Sequence, residues 1–139
     1  MRFMMFIKVD DSVEGQTPTP EAAAAMGRYN EELTKAGVLL ALDGLHPAST
    51  GVRIEFGAGG RPSVVDGPFT EAKEIVGGYW IIDVKSRDEA IEWATRVPAA
   101  EGQAVELRQI FDMADYAPEV LEAHGELSAT PPEQTTGTE

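Results

Sequence analysis

Residues 66–84 read Asp66-Gly67-Pro68-Phe69-Thr70-Glu71-Ala72-Lys73-Glu74-Ile75-Val76-Gly77-Gly78-Tyr79-Trp80-Ile81-Ile82-Asp83-Val84. A rigid turn and a knot of charges stand directly before Tyr79 to Val84, a segment that is apolar on both faces of an extended chain. Such a strand belongs in the middle of a sheet. Ser86 then caps a helix predicted from Arg87 to Val97, with Glu89 three residues later completing a capping box and Pro98 stopping it. Its apolar stripe is Ala90, Ile91, Ala94 and Val97.

Working outward, Arg2 to Val9 is a second strong strand. Phe3, Met5, Ile7 and Val9 fall on one face, and Met4 and Phe6 lie on the other between Arg2 and Lys8. A polar loop, Asp10 to Pro20, leads into a helix opened by Thr19-Pro20-Glu21, with its stripe at Ala22, Met26, Tyr29, Leu33 and Ala36. Gly37 sits where a left-handed cap is expected. Val38 to Leu42 is a strand broken by Asp43-Gly44 and His46-Pro47. Val52–Phe56 and Pro62–Val65 form the arms of a hairpin across Gly57-Ala58-Gly59-Gly60. In the last strand Val105, Leu107 and Gln109 alternate with Glu106 and Arg108, a half-polar pattern suited to an edge.

The order strand, helix, strand, hairpin, strand, helix, strand predicts an α+β domain over residues 1–111, a ferredoxin-like split βαβ with an inserted hairpin. That topology makes Phe3–Val9 and Tyr79–Val84 the central strands, and these are the two that are apolar on both sides. Two helices cover one sheet face only. Covering ~600 Å² of the other is worth roughly 15 kcal/mol before association costs, so a homodimer through the open sheet face is expected. Residues 112–139 read as an acidic C-terminal tail, with a short helix at 118–127 and a Pro-, Thr- and Glu-rich end beyond Ser128.

The composition excludes several classes of function. The 139 residues carry a formal charge of −13, and the tail holds 7 of the 24 acids with no Lys or Arg. Nucleic acid and anionic membrane are therefore poor partners. With no cysteine there are no disulfides, thiol nucleophiles or cysteine metal sites. Phe3-Met4-Met5-Phe6-Ile7 is too short for a signal-peptide core, and no run approaches a membrane span, so a cytoplasmic location is expected. Two histidines 78 positions apart make no zinc site, and Gly57-Ala58-Gly59-Gly60 lacks a phosphate-loop context. No cofactor is expected.

The remaining chemistry is acid/base. Asp66, held by the Asp66-Gly67-Pro68 turn, reads either as a carboxylate that stabilises its own turn or as a base or orienter of a histidine. His46 is the one histidine of residues 1–111 and reads either as a surface side chain or as a general acid/base near neutral pH. Glu71, Lys73 and Glu74 form either a solvated charged turn or a substrate-binding group, Lys73 being suited to an anion. Arg53 and Arg108 project from strands, and Arg108 shares a face with Glu106, so it serves either an ion pair or a carboxylate-binding arm. Tyr79 and Trp80 alternate faces, one toward the helix-covered core and the other toward the dimer side.

These residues together resemble the YCII-related family, and its DGPF branch in particular. The matching text is Asp66-Gly67-Pro68-Phe69-Thr70-Glu71-Ala72-Lys73-Glu74, then Gly77-Gly78-Tyr79, Ile82-Asp83-Val84, Asp88 to Ala94 and Val105-Glu106-Leu107-Arg108. The resemblance covers about residues 1–111 and departs at Gln109-Ile110, where the family usually has proline after the arginine. It implies a ferredoxin-like dimeric α/β barrel whose cleft brings a histidine and an aspartate together. Asp66 matches the branch's aspartate, and His46 is the candidate histidine. The expected function is a small-molecule-binding protein, a cofactor-independent acid/base enzyme for proton transfer or elimination, with a small anionic organic ligand. The alternative is a non-catalytic accessory protein partnering an extracytoplasmic-function sigma factor, a neighbour common to the branch.

Overall fold

The computed structural model describes residues 1–10, 17–69 and 75–124. The chain runs β1 (Arg2–Val9), α1 (Pro20–Lys35), β2 (Leu39–Gly44), β3 (Val52–Phe56), β4 (Pro62–Asp66), β5 (Ile75–Asp83), α2 (Arg87–Thr95), β6 (Ala104–Gln109) and α3 (Pro118–His124). Four strands make one antiparallel sheet in the order β2-β5-β1-β6, and β3 and β4 form a separate hairpin. The two strands that are apolar on both faces, β1 and β5, are the inner pair. The sheet is open, with β2 and β6 as its edges, and does not close on itself.

Both main helices lie on one sheet face. Phe3 and Met5 of β1 and Trp80 and Ile82 of β5 are buried there with Tyr29 and Leu33 of α1 and Ala90 of α2. Polar groups inside this layer are satisfied: the Tyr29 hydroxyl donates to the Trp93 carbonyl at 2.8 Å, and Trp80 Nε1 donates to Asn30 Oδ1 at 2.8 Å. Tyr29 also meets Trp80 edge-on at a centroid distance of 5.9 Å. The caps act as the sequence predicts at Thr19, which accepts from the Ala22 N–H, and at Gly37, with φ of 72°.

The opposite face is a grid set by the register. One row runs Ala41, Ile81, Met4, Arg108 and the next Asp43, Tyr79, Phe6, Glu106. The apolar members of these rows are half-buried, and neither α1 nor α2 crosses them.

Several boundaries differ from the sequence reading. β2 continues through Asp43-Gly44 instead of breaking there, because both residues pair with β5. β5 begins at Ile75, four residues before Tyr79, because a bulge opposite Ile7 and Lys8 absorbs Gly77 without ending the ladder. α2 stops at Thr95 instead of Val97, and Arg96 is its cap. Glu89 reaches the Lys85 N–H at 2.9 Å instead of the Ser86 N–H, so only half of the capping box forms as written, the Ser86 hydroxyl accepting from the Glu89 N–H. The tail helix covers Pro118–His124, and the remainder of the expected 118–127 helix lies outside the described residues. Among the described residues no helix is long and apolar enough to cross a membrane.

Candidate functional site

β1 and β2 finish at the end of the sheet where β5 and β6 begin. The hairpin also departs from this end, so every long connection of the sheet gathers there. Leu45 prolongs the β2–β5 pairing through its N–H to the Gly77 carbonyl at 2.9 Å, and the chain then leaves through His46-Pro47 into a short 3₁₀ turn, Ala48–Thr50.

The turn after β4 packs onto that exit. The Gly67 N–H donates to the Gly51 carbonyl at 3.0 Å, and a Cβ on Gly67 would run into the Ala48 carbonyl oxygen. Only glycine permits this approach, which is why Asp66-Gly67-Pro68 can lie directly against residues 48–51. The Gly67–Pro68 peptide is cis. Phe69 is held on the other side by Arg53, whose guanidinium sits 4.1 Å from the ring centroid. Arg53 also approaches Glu55 at 3.9 Å.

His46 and Asp66 thus stand on two segments of one packed knot. Both side chains are exposed, and no hydrogen bond joins them among the described residues. No hydrogen bond or ion pair therefore joins the histidine and the aspartate within this single chain.

The other sequence-predicted residues divide by location. Tyr79 lies on the open sheet face and donates to Asp43 Oδ2 at 2.8 Å, and that hydrogen bond holds its phenol pKa above the usual value. Arg108 is also on the open face, where the cross-strand ion pair is made by Glu106 with Lys8 at 3.0 Å. Arg108 has no ion pair among the described residues. Glu71, Lys73 and Glu74 lie outside the described residues.

Beside the knot, on the helix side of the same sheet end, is a cleft of about 940 Å³. Its walls are the first three turns of α1 (Ala22, Ala23, Met26, Gly27, Asn30), the strand ends Ile7, Gly44 and Gly77, and the loop from Pro98 to Gln103. A smaller hollow of about 230 Å³ shares Met26, Asn30 and Gly44 and reaches inward to Trp80. Gly44 lies two residues before His46, which places the imidazole-bearing segment at the rim. Among the described residues, none of the lining side chains of the larger cleft is ionisable. Among the described residues no three His, Asp or Glu side chains converge as metal ligands would.

The sequence profile of the YCII-related domain family matches residues 1–114, from β1 through the turn after β6. The chain belongs to the YCII-related domain family. Among curated proteins it has no match. In this YCII-related domain the match takes in the sheet, both main helices, the knot and the cleft, and it stops before α3.

Asn30, Gln103 and Gly27 were not singled out from the sequence. A glycine in the middle of a well-formed helix was the available signal, since such a residue calls for a reason. Asn30 and Gln103 carried none, because only the fold brings α1 and the 98–103 loop to one opening.

Proposed function

We propose that this domain binds a small organic molecule at the end of its sheet and performs cofactor-independent acid/base chemistry on it, a proton transfer or an elimination. His46 is the general acid/base and Asp66 its orienter or substitute. The observation that carries this reading is the packing of the His46–Gly51 segment against the Asp66–Phe69 turn beside a cleft of ligand size. The strand order supports a ferredoxin-like split βαβ with an inserted hairpin, in the manner of the DGPF branch. The Met4, Phe6, Ile81 and Ala41 patch that α1 and α2 leave uncovered supports a homodimer through the open face, closing an α/β barrel; the proposed location is the cytoplasm. In that assembly Arg108, Arg53 and Tyr79, with Lys73, Glu71 and Glu74, are the groups available to an anionic substituent.

The test is depletion of compounds from a bacterial metabolite extract, followed by mass spectrometry, with wild type, His46→Asn and Asp66→Asn. A compound consumed by wild type and spared by either variant supports the reading; equal consumption by all three ends it.

Two features favour a second, non-catalytic reading. The hairpin exposes Val52, Ile54, Phe56 and Val64 on one face, with Phe56 at 72% exposure, and among the described residues the cleft lining carries no acid or base. An accessory protein that docks on an extracytoplasmic-function sigma factor would use such a face. Co-purification with the sigma factor, abolished by Phe56→Asp, would support it; no association at micromolar concentration would rule it out.

A further inference from the structure

We propose that the cleft takes an uncharged, mainly apolar part of its ligand that bears an oxygen acceptor, such as a ketone or an ester, and that Gly27 sets the room available to it. The inference rests on the reading that the cleft is a ligand site and adds the class of what enters it; Arg53, Tyr79 and Arg108, available to an anionic substituent, do not line it. Its volume of about 940 Å³ is that of a small-molecule site.

Among the described residues no ionisable side chain lines the cleft, and the whole chain carries −13. A carboxylate or phosphate brought in here would lose hydration, find no cation in the lining and face a repulsive field. An ammonium group would find no carboxylate among the described lining residues either.

Two carboxamides then define what polar atoms the ligand should carry. Asn30 Oδ1 accepts from Trp80 Nε1 at 2.8 Å, and Gln103 Oε1 accepts from the Ala100 N–H at 2.9 Å. Indole and backbone N–H groups only donate, so both amides are fixed with their oxygens turned to the protein. Their N–H₂ groups have no protein hydrogen bond among the described residues. One stands on α1 and the other on the loop after α2, two walls of the same opening. Donors without acceptors on both walls suit a ligand with carbonyl or ether oxygens.

Gly27 supplies the third observation. Glycine weakens the middle of a helix, yet nothing nearby requires it: its φ is not positive, and a Cβ there would meet no atom within 4 Å. What lies before it is the cleft. A side chain at this position would occupy the ligand's volume without disturbing the fold.

Fluorescence titration of the full chain with Nile red, an uncharged dye with a carbonyl acceptor, tests this, with 1-anilinonaphthalene-8-sulfonate as the anionic comparison. The expected result is saturable binding of Nile red at one site per chain, with the sulfonate at least tenfold weaker. Gly27→Phe should weaken Nile red at least fivefold. Gln103→Glu should do the same, because it keeps the acceptor for the Ala100 N–H and replaces the donors with a charge. A smaller loss in these variants, or a sulfonate that binds as tightly as Nile red, overturns the assignment. Gln103→Glu carries the test alone if Gly27→Phe does not fold. The turnover assays on His46 and Asp66 read a different property, so their failure would sink the acid/base reading and leave the cleft's ligand class standing.

Discussion

At the residue scale, two side-chain environments make measurable claims. Gly67 is needed because the Ala48 carbonyl occupies the space of its missing Cβ. Gly67→Ala should destabilise the chain by about 1–3 kcal/mol, the usual cost of forcing atoms into a packed site, and should shift the urea midpoint accordingly. An unchanged midpoint would show that the knot is loose. Tyr29 is the second case. Burial pushes its phenol up to about 12, with Arg96 partly opposing and Glu32 adding to the shift. The unfolded chain therefore loses this proton near pH 10 while the folded chain keeps it. Stability contributed by the neutral phenol is complete below pH 10 and falls as pH rises toward 12. Tyr29→Phe should flatten that alkaline limb of the urea midpoint against pH, while lowering the midpoint at neutral pH through loss of the 2.8 Å bond to the Trp93 carbonyl. A limb as steep as that of wild type would assign the pH dependence elsewhere.

At the scale of elements, the helices are specified by local signals and the hairpin by pairing alone. Ser86→Ala removes the acceptor for the Glu89 N–H at 3.1 Å and should cost about 1 kcal/mol, seen as a lower thermal midpoint. No residue of β3 is buried. Phe56→Ser should therefore leave the thermal midpoint of the isolated protein within a degree or two, and a large drop would mean that the hairpin packs on a surface of its own or a partner chain. The helix signals were legible because a cap and a stripe involve neighbours in sequence: Thr19 and Ala22, Ser86 and Glu89, Tyr29 and Leu33. The start of β5 was not legible, because Gly77-Gly78 reads locally as a break, and only pairing with β1 and β2 keeps the segment extended.

At the scale of the whole molecule, the question is the open sheet face. Ile81→Glu or Phe6→Glu would put a carboxylate among Met4, Tyr79 and Ala41. If two copies close over this patch, sedimentation velocity should show wild type as a dimer and either variant as a folded monomer. A wild-type monomer at tens of micromolar would remove the dimeric barrel and any site completed by a second copy.

The inner strands, both main helices, the hairpin and family membership were determined by the sequence itself. Each rests on alternation, capping, turn chemistry or a spaced motif, all of which are local. The candidate site was legible only in part. Asp66 stood out through its turn and His46 through its rarity, and tertiary structure decided that they share a knot with no hydrogen bond between them. It alone paired Lys8 with Glu106, and joined Gly27, Asn30 and Gln103 around one cleft. The physical reason is distance along the chain. Lys8 and Glu106 are brought together only by the register between β1 and β6; Asn30 and Gln103 lie in segments that meet only when the sheet folds.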